Sequence, residues 1–383
     1  MKKFYLKRRN FIFLIFLIFQ ALVFLNFAIG HFFVQPKDSF VFADSGQKPK
    51  LLWRRANFDG VHYLSIARNN YGLYQQAFFP LYPKLISCLG RWFGGEFLLA
   101  GWLISFFSLW LSLLIFYKLV RLDYKKTIAR RAIVFLLLFP TSFYFTALYT
   151  EAFFLLLILL TFYWARTGRW GLAPLTAALA SGTRLVGIFL VPALLSEIWL
   201  QQKKNQRSKI YLFLLAGWVV VVSSLGLVFY MLWLNRQFAD PLLFVHVQPQ
   251  FGAQRSGGKI IILYQVFWRY LKMIVTCQKN SPLYFTVWLE LFSACLFLGL
   301  NILAYFKKMN PGYLVFAFLA FLTPTLTGTF SSLPRYVLVL FPGFIILAQI
   351  FEKKSFWVKV YFFLSLILFF VCQFFFSQGY WIS

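Results

Sequence analysis

Long apolar stretches alternate with short polar ones along the 383 residues of the chain. Runs of about 20 nearly uncharged residues recur, and an α-helix of that length crosses the hydrocarbon core of a bilayer. The pattern predicts an all-α, polytopic membrane protein with about eleven spans, its N-terminus inside and its C-terminus outside. The predicted spans are about Phe11–Gly30, Phe97–Leu119, Ala132–Leu148, Ala152–Ala165, Trp170–Thr183, Leu185–Leu200, Ile210–Leu234, Leu283–Phe306, Gly312–Thr327, Tyr336–Phe351 and Trp357–Phe376.

The first apolar run has two interpretations. Five basic residues precede Phe11–Gly30, as they would precede the apolar core of a signal peptide. Such a core is about 7–15 residues long. This run is longer, so the sequence favours an uncleaved first span.

Two long polar segments, residues 31–96 and 235–281, are predicted to lie on the outer side. The first has helical spacing over residues 58–71 and again over Lys84–Arg91. In the second, Ile260–Val275 is apolar but carries two cations. We expect interfacial helices in these first and fourth outer loops, lying along the membrane surface instead of crossing it. The whole chain is expected to be a single integral-membrane domain.

Composition supports the membrane interpretation and argues against a nucleic-acid partner. The chain is 61% hydrophobic, against about 45–50% in soluble domains. Its formal net charge is +28, but Lys and Arg are several-fold denser in the predicted inner turns, as the positive-inside rule describes. The lack of a retention signal and the compact loops favour the plasma membrane of a prokaryote over the endoplasmic reticulum.

The cysteines and the common ligand motifs point to no cofactor. The four cysteines form no CxxC pair and no zinc spacing, and no cluster of ligands demands a metal. Cys88 and Cys277 both fall on the predicted outer side, so a disulfide between them stays an open alternative.

The chain has only ten acidic residues, so those away from the inner turns are informative. Asp59 lies in the first outer loop, and His62 follows one helical turn later. His62 either orients Asp59, contacts a substrate or is a plain surface residue. Glu151 lies at the outer tip of two short apolar runs. A carboxylate near the bilayer core costs roughly 2.5–3.5 kcal/mol, so Glu151 is either a solvated turn residue or an acid that faces an outer cavity.

Two arginines, Arg184 and Arg335, also lie between apolar runs on the predicted outer side. Either they snorkel at helix ends, or their guanidinium groups bind an anion. A lipid phosphate is the natural anion at that depth of a membrane.

Several motifs together resemble the PIG-V (GPI mannosyltransferase II) family and span residues 53–342. They are Trp53 followed by residues 58–67 (FDGVHYLSIA), residues 77–83 (AFFPLYP), residues 149–151 (YTE), residues 181–184 (SGTR) and residues 334–342 (PRYVLVLFP). The family pattern places Trp directly before the Asp, where this chain has Phe58.

The resemblance implies a GT-C-fold glycosyltransferase. Such an enzyme moves a hexose, here mannose, from a polyprenyl- or dolichyl-phosphate carrier to a glycan or glycolipid acceptor on the outer or luminal face. Asp59 is then the base that takes the proton of the attacking hydroxyl, with inversion at the sugar carbon. Arg184 and Arg335 are expected to steady the departing lipid phosphate. The other substrate contacts are expected to be Glu151, His62, Tyr63 and Tyr336.

The same interpretation sets the expected ligands and partners. The donor substrate is a lipid-phosphate-linked sugar, and metal dependence is left open. Partners are membrane lipids and the glycan acceptor, with room for an accessory membrane subunit.

A transporter or flippase for lipid-linked saccharides is the main alternative function. It would also need many spans and outer cations, but it predicts ionisable residues along a path to both faces. Here the unexplained charges collect on the outer side, which favours the enzyme. A scaffold without chemistry leaves Glu151 and Arg184 unexplained.

Overall fold

The computed structural model describes residues 2–34, 37, 50–205, 208–352 and 355–382. Two acids of the first outer loop, Asp38 and Asp44, lie outside these ranges. The described part of the chain is helical, without strands. Its α-helices are α1 (Lys2–Phe33), α2 (Lys50–Trp53), α3 (Asp59–Asn69), α4 (Leu81–Trp92), α5 (Phe97–Asp123), α6 (Lys126–Leu137), α7 (Glu151–Arg166), α8 (Leu172–Ser181), α9 (Leu190–Asn205), α10 (Lys209–Phe238), α11 (Leu243–His246), α12 (Leu263–Thr276), α13 (Pro282–Phe306), α14 (Pro311–Thr325), α15 (Leu333–Tyr336), α16 (Phe341–Ile350) and α17 (Ser355–Ser377).

The helices confirm a multi-pass membrane protein of the all-α class. Among the described residues, six helical segments are long and apolar enough to cross a membrane, and a bent pair makes a seventh. The six are Phe11–Gly30, Phe97–Asp123, Leu185–Gln202, Lys209–Phe238, Pro282–Phe306 and Phe356–Ser377. The bent pair, Leu333–Val339 with Phe341–Ile350, turns by 82° at its break.

The structure does not confirm the count of eleven spans. The predicted third span is interrupted: α6 ends at Leu137, and a 3-10 turn follows over Ser142–Thr146. Pro140 explains the interruption, because proline has no N–H to donate and disfavours helix in the residue before it. Leu172–Ser181 and Pro311–Thr325 are apolar helices of only 10 and 15 residues.

The short helices of the two long outer loops are confirmed as helices. Residues 58–71 contain α3, Lys84–Arg91 lies inside α4, and Ile260–Val275 largely coincides with α12. Their position at the membrane surface stays a prediction. All four cysteines are free, including Cys88 and Cys277.

Close helix packing sets the frame of the outer end. α5 packs against α7, α7 against α8, and α8 against α10. Gly226 of α10 lies so near α8 that an added Cβ would come within 2.1 Å of the Ala178 carbonyl oxygen. Beside it, the Ser181 hydroxyl donates to the Ser223 carbonyl over 2.9 Å. Small residues thus let the backbones approach and fix the turn that follows α8.

A charged cluster ties the helices together at the predicted inner end. Arg166 pairs through both terminal nitrogens with Asp123, at 2.6 and 2.8 Å, and its Nε lies 3.4 Å from Glu197. Glu197 is 1% exposed and also accepts from Asn310 over 2.7 Å. The Tyr313 hydroxyl accepts a further hydrogen bond from Arg166. The cluster joins α5, α7, α9 and α14.

Replacing Arg166 by Met should lower the free energy of unfolding by about 3 kcal/mol, because it leaves the buried Glu197 carboxylate without its cation. Chemical denaturation in mixed micelles would measure this. Arg121→Met is the matched control: Arg121 is exposed on the same end of α5 and donates only to the Tyr124 carbonyl, so its change should stay within about 0.5 kcal/mol. Equal stability of the two variants would contradict the structural role of the cluster.

Candidate active site

One cavity gathers all seven predicted site residues. It has a volume of about 620 Å³, within the usual range for small-molecule sites. Its walls come from α3, the start of α7, the end of α15, α14, the turn after α8, and the segment between α11 and α12. The predicted residues that line it are Asp59, His62, Tyr63, Glu151, Arg184, Arg335 and Tyr336.

Four of these residues form an alternating chain of charges. Arg335 Nη1 donates to Asp59 Oδ2 over 2.6 Å, although the two residues are 276 apart in sequence. Arg335 Nε lies 3.3 Å from Glu151 Oε1, and Arg184 Nη1 donates to the same oxygen over 3.0 Å. Two carboxylates and two guanidinium groups balance, so the chain can be buried without a net charge.

Backbone contacts hold Asp59 in place. It begins α3, and the preceding segment is fixed by a hydrogen bond from Leu148 N to Arg55 O. Asn57 is anchored twice: its carbonyl accepts from the Tyr149 hydroxyl over 2.6 Å, and its Nδ2 donates to Phe376 O over 2.7 Å. These contacts connect three distant segments around the carboxylate.

Phe58, directly before Asp59, has an unusual backbone. Its φ is 56° with ψ of −114°, a region that bulky residues rarely adopt. The ring packs edge-on against Trp381 at 5.0 Å and near Phe376 at 6.0 Å. Strained residues persist where their surroundings hold them, and they cluster at functional sites.

Glu151, at the start of α7, uses one carboxylate oxygen, Oε1, in the ion pairs with Arg184 and Arg335. The residue is 1% exposed, and its Oε2 atom has no hydrogen-bond partner in the described part of the chain. A buried unsatisfied acceptor is costly, and this one belongs to a residue of the cavity wall. A hydroxyl of a bound molecule would satisfy it.

The two arginines differ in accessibility. Arg335 is 4% exposed and lies 5.0 Å from the ring of Tyr149 and 5.1 Å from that of Tyr336. Arg184 is half-buried and lies 4.8 Å from the Tyr336 ring. The Tyr336 ring is thus in contact with both guanidinium groups. Arg335 is enclosed by its partners, whereas Arg184 has one edge on the cavity.

His62 and Tyr63 belong to the aromatic wall of the cavity. The His62 ring stacks on Phe78 at 4.9 Å. Tyr63 makes edge contacts with Phe78 and with Tyr82, both at 5.1 Å. The structure places His62 in the cavity wall, where its ring contacts other aromatic rings. Among the described residues, no hydrogen bond joins His62 to Asp59, so an orienting role for His62 has no such support.

Two cations of the cavity were missed from the sequence. Arg255 and Lys259 both line it, and neither has a carboxylate partner in the part of the chain that the structure describes. Arg255 donates only to oxygens of the turn before α15, including Ser332 Oγ at 3.1 Å. The signal was faint, because these residues are two of several basic ones in a long loop.

Electrostatics set the ionisation of the outer carboxylate. Burial raises the pKa of Asp59, but the charge and hydrogen bond of Arg335, with His62 and Arg255, more than offset it and hold the pKa below its ordinary value of 3.8. Burial lowers the pKa of His62, and the Asp59 carboxylate only partly opposes this. At neutral pH Asp59 is therefore ionised and His62 is neutral. Among the described residues, no three His, Cys, Asp or Glu side chains are placed to hold a metal ion.

Comparisons with known proteins add only a distant likeness. No family model matches the chain, and no curated protein matches it. Two crystal structures of the Archaeoglobus fulgidus oligosaccharyltransferase are similar: one is a complex with Zn and sulfate, the other is tethered through a disulfide bond to an acceptor peptide containing the NVT sequon. Each is 13% identical over 94% of this chain, with TM-scores of 0.42 and 0.43.

The chain spans about half the length of those oligosaccharyltransferase chains, 53% and 55%. A likeness this distant identifies neither a reaction nor a substrate. The helices and the cavity together define a multi-pass, all-α membrane protein with a charged site at its predicted outer end.

Replacing Asp59 by Asn should reduce stability in a pH-dependent way. The folded-state pKa of Asp59 is depressed, so its ion pair stabilises the protein above about pH 4 and is lost as the pH falls through that pKa. We expect Asp59→Asn to cost roughly 2 kcal/mol at pH 7, with the difference from wild type shrinking towards pH 3.

Denaturation of both proteins at pH 7, 5 and 3 would measure the effect. Titrating groups that do not interact with Asp59 are shared and cancel in the difference. A gap between the two proteins that stays constant from pH 7 to pH 3 would contradict the assigned ion pair.

Proposed function

We propose that this chain is a membrane glycosyltransferase. It moves a hexose, assigned as mannose on the motif resemblance, from a polyprenyl-phosphate carrier to a lipid-linked or surface glycan acceptor on the outer face, with inversion. The observation that supports it most is the presence, in one cavity, of an ionised carboxylate and of cations that lack carboxylate partners among the described residues. The GT-C architecture and residues 1–383 as one domain are parts of the same proposal.

The chemistry needs few groups. The acceptor oxygen bonds to C1 of the sugar as the bond from C1 to the phosphate oxygen breaks, and the hydroxyl proton passes to a base. One carboxylate suffices, because inversion forms no covalent intermediate with the protein. The released phosphate gains charge, which cations stabilise.

Asp59 is the proposed base. Its side chain is 19% exposed and belongs to the cavity wall, so a hydroxyl can reach it. The depressed pKa keeps it ionised and makes it a weak base in the resting state. This suffices where the proton moves late, since a hydroxyl becomes strongly acidic as its oxygen bonds to the sugar carbon.

Arg335 has a different proposed role from the one expected of it. Because it is buried between Asp59 and Glu151, it orients the base and balances the two acids, instead of binding the phosphate. Glu151 Oε2, without a partner in the described residues, accepts from a substrate hydroxyl. His62, Tyr63 and Tyr336 supply aromatic contacts around the sugar.

The lipid phosphate is proposed to bind to Arg184, Arg255 and Lys259. Within the described ranges, Arg255 and Lys259 are the cavity cations without carboxylate partners, and Arg184 has one edge on the cavity. The carrier's tail would follow the apolar part of the wall, which Val186, Ala320, Pro324, Leu326 and Val339 form. This arrangement places a charged headgroup site beside a hydrocarbon path.

A transporter fits the charges less well. The charged groups along α7 lie at its two ends, Glu151 and Arg166, separated by about 22 Å of helix at 1.5 Å per residue. The residues between them are apolar or closed in the core.

The proposed membrane is the plasma membrane of a prokaryote, with membrane lipids and an accessory membrane subunit as further partners.

Asp59→Asn should lower the rate of sugar transfer by about 10²–10⁴-fold, because it removes the proton acceptor. The assay uses purified protein in nanodiscs with polyprenyl-phosphate mannose and a glycolipid acceptor pool. Asp240→Asn is the matched control: that carboxylate pairs with His246, and neither residue lines the cavity. Wild-type rates in folded Asp59→Asn protein would refute the assignment of the base.

Arg255→Ala and Lys259→Ala should each raise the half-saturating concentration of the lipid donor about tenfold, since each removes one charged contact worth roughly 1.4 kcal/mol. Transfer kinetics at varied donor concentration would measure this. Lys279→Ala, in the same outer loop but outside the cavity wall, should leave donor saturation unchanged. Unchanged saturation in both cavity variants would place the phosphate elsewhere.

A further inference from the structure

A second buried acid lies outside the charge chain and has no part in the proposed chemistry. Glu290 belongs to α13, a candidate membrane span, and is 4% exposed. An ionisable group in such a place is costly and calls for specific partners. Its partners lead directly to the cavity.

Glu290 is connected to the cavity's edge through Tyr270. The Tyr270 hydroxyl of α12 donates to Glu290 Oε2 over 2.5 Å. The Tyr270 oxygen also accepts from Phe330 N over 3.1 Å and lies 3.1 Å from Thr329 Oγ1. One carboxylate thus fixes α12 to the turn before α15.

That turn is strained and carries Arg335. Ser332 has a φ of 68°, in the left-handed region, which a serine adopts only when its surroundings hold it. Its carbonyl accepts from Arg335 N over 3.1 Å and from Tyr336 N over 3.0 Å. The direction of Arg335 towards Asp59 therefore depends on the backbone of Ser332.

The same turn also holds Arg255. Besides the bond from Arg255 to Ser332 Oγ, the segment is paired through Ser256 N to Thr327 O at 2.9 Å. From α12, Arg269 donates to Gly328 O over 2.9 Å and to Ala253 O over 3.1 Å. The residues next to Tyr270 thus join the two segments that bear the cavity's cations.

We infer that Glu290 is a positioning residue: through Tyr270, which holds Thr329 and Phe330 of the turn before α15, it sets the places of Arg335 and Arg255 relative to each other. The inference rests on the proposed function for its kinetic consequence, but its structural part stands separately. It also gives a reason for an acid in a membrane span, since a carboxylate accepts a strong hydrogen bond from the Tyr270 O–H.

The test compares Glu290→Gln, Tyr270→Phe, their double variant and Ser293→Ala. A glutamine keeps an acceptor oxygen for Tyr270 but removes the negative charge that strengthens this hydrogen bond. Ser293, one turn along α13, is buried and its hydroxyl has no partner among the described residues, so its removal is the matched control. All proteins are studied as full chains in nanodiscs.

Hydrogen–deuterium exchange of residues 326–336 is the first readout. Glu290→Gln and Tyr270→Phe should each speed it about tenfold, because the turn opens locally more often. The exchange rate in the double variant should be close to that in either single variant, since both substitutions act on one hydrogen-bond network. Ser293→Ala should match wild type. Unchanged exchange in folded Glu290→Gln and Tyr270→Phe proteins would overturn the inference.

Donor saturation is the second readout. We expect the KM for polyprenyl-phosphate mannose to rise about tenfold in both single variants, as the cations lose their alignment. A residue that only stabilises the fold would lower the active fraction and leave that KM unchanged; this result would overturn positioning. If wild-type protein shows no transfer, the proposed function fails, and the exchange experiment alone decides on the network.

Discussion

The site depends on one arginine that lies between two acids. Arg335 donates to Asp59 over 2.6 Å and lies 3.3 Å from Glu151, with Arg184 closing the series on the far side of Glu151. In a poorly solvated environment an unpaired charge costs several kcal/mol. The alternation of charges removes that cost only when all four groups lie within ion-pair distance of their partners. The positions of α3, α7 and α15 are therefore coupled through these side chains.

Two strained residues stand on either side of this pair. Phe58 precedes Asp59 with a φ of 56°, and Ser332 precedes the helix of Arg335 with a φ of 68°. Each such conformation costs of order 1–3 kcal/mol. The rings of Trp381 and Phe376 hold the first, and the Glu290 network holds the second. The packing and hydrogen bonds around these two residues hold the Asp59 carboxylate and the Arg335 guanidinium at hydrogen-bonding distance.

Reasoning from the sequence found Glu151, Arg184 and Arg335 because each one interrupts an apolar pattern, and Asp59 because it is one of only ten acidic residues and lies in an outer loop. Glu151 and Arg184 are conspicuous between apolar runs, whereas Arg255 lies in a long polar loop where a cation is ordinary. Glu290 was also overlooked, since a single acid inside a 25-residue apolar helix does not change the hydropathy of the run. The span count was less predictable, because an apolar run broken at Pro140 has the hydropathy of a span without its length of helix.

The sequence alone determined that the protein is helical, that it lies in a membrane and which few ionisable residues need an explanation, because those properties follow from local periodicity and composition. Which charges pair was decided only by tertiary structure. Asp59 and Arg335 are 276 residues apart, and the local sequence around either residue does not predict contact with the other. Their contact results from the packing of distant helices, and that packing also changed the proposed role of Arg335 from phosphate ligand to partner of the base.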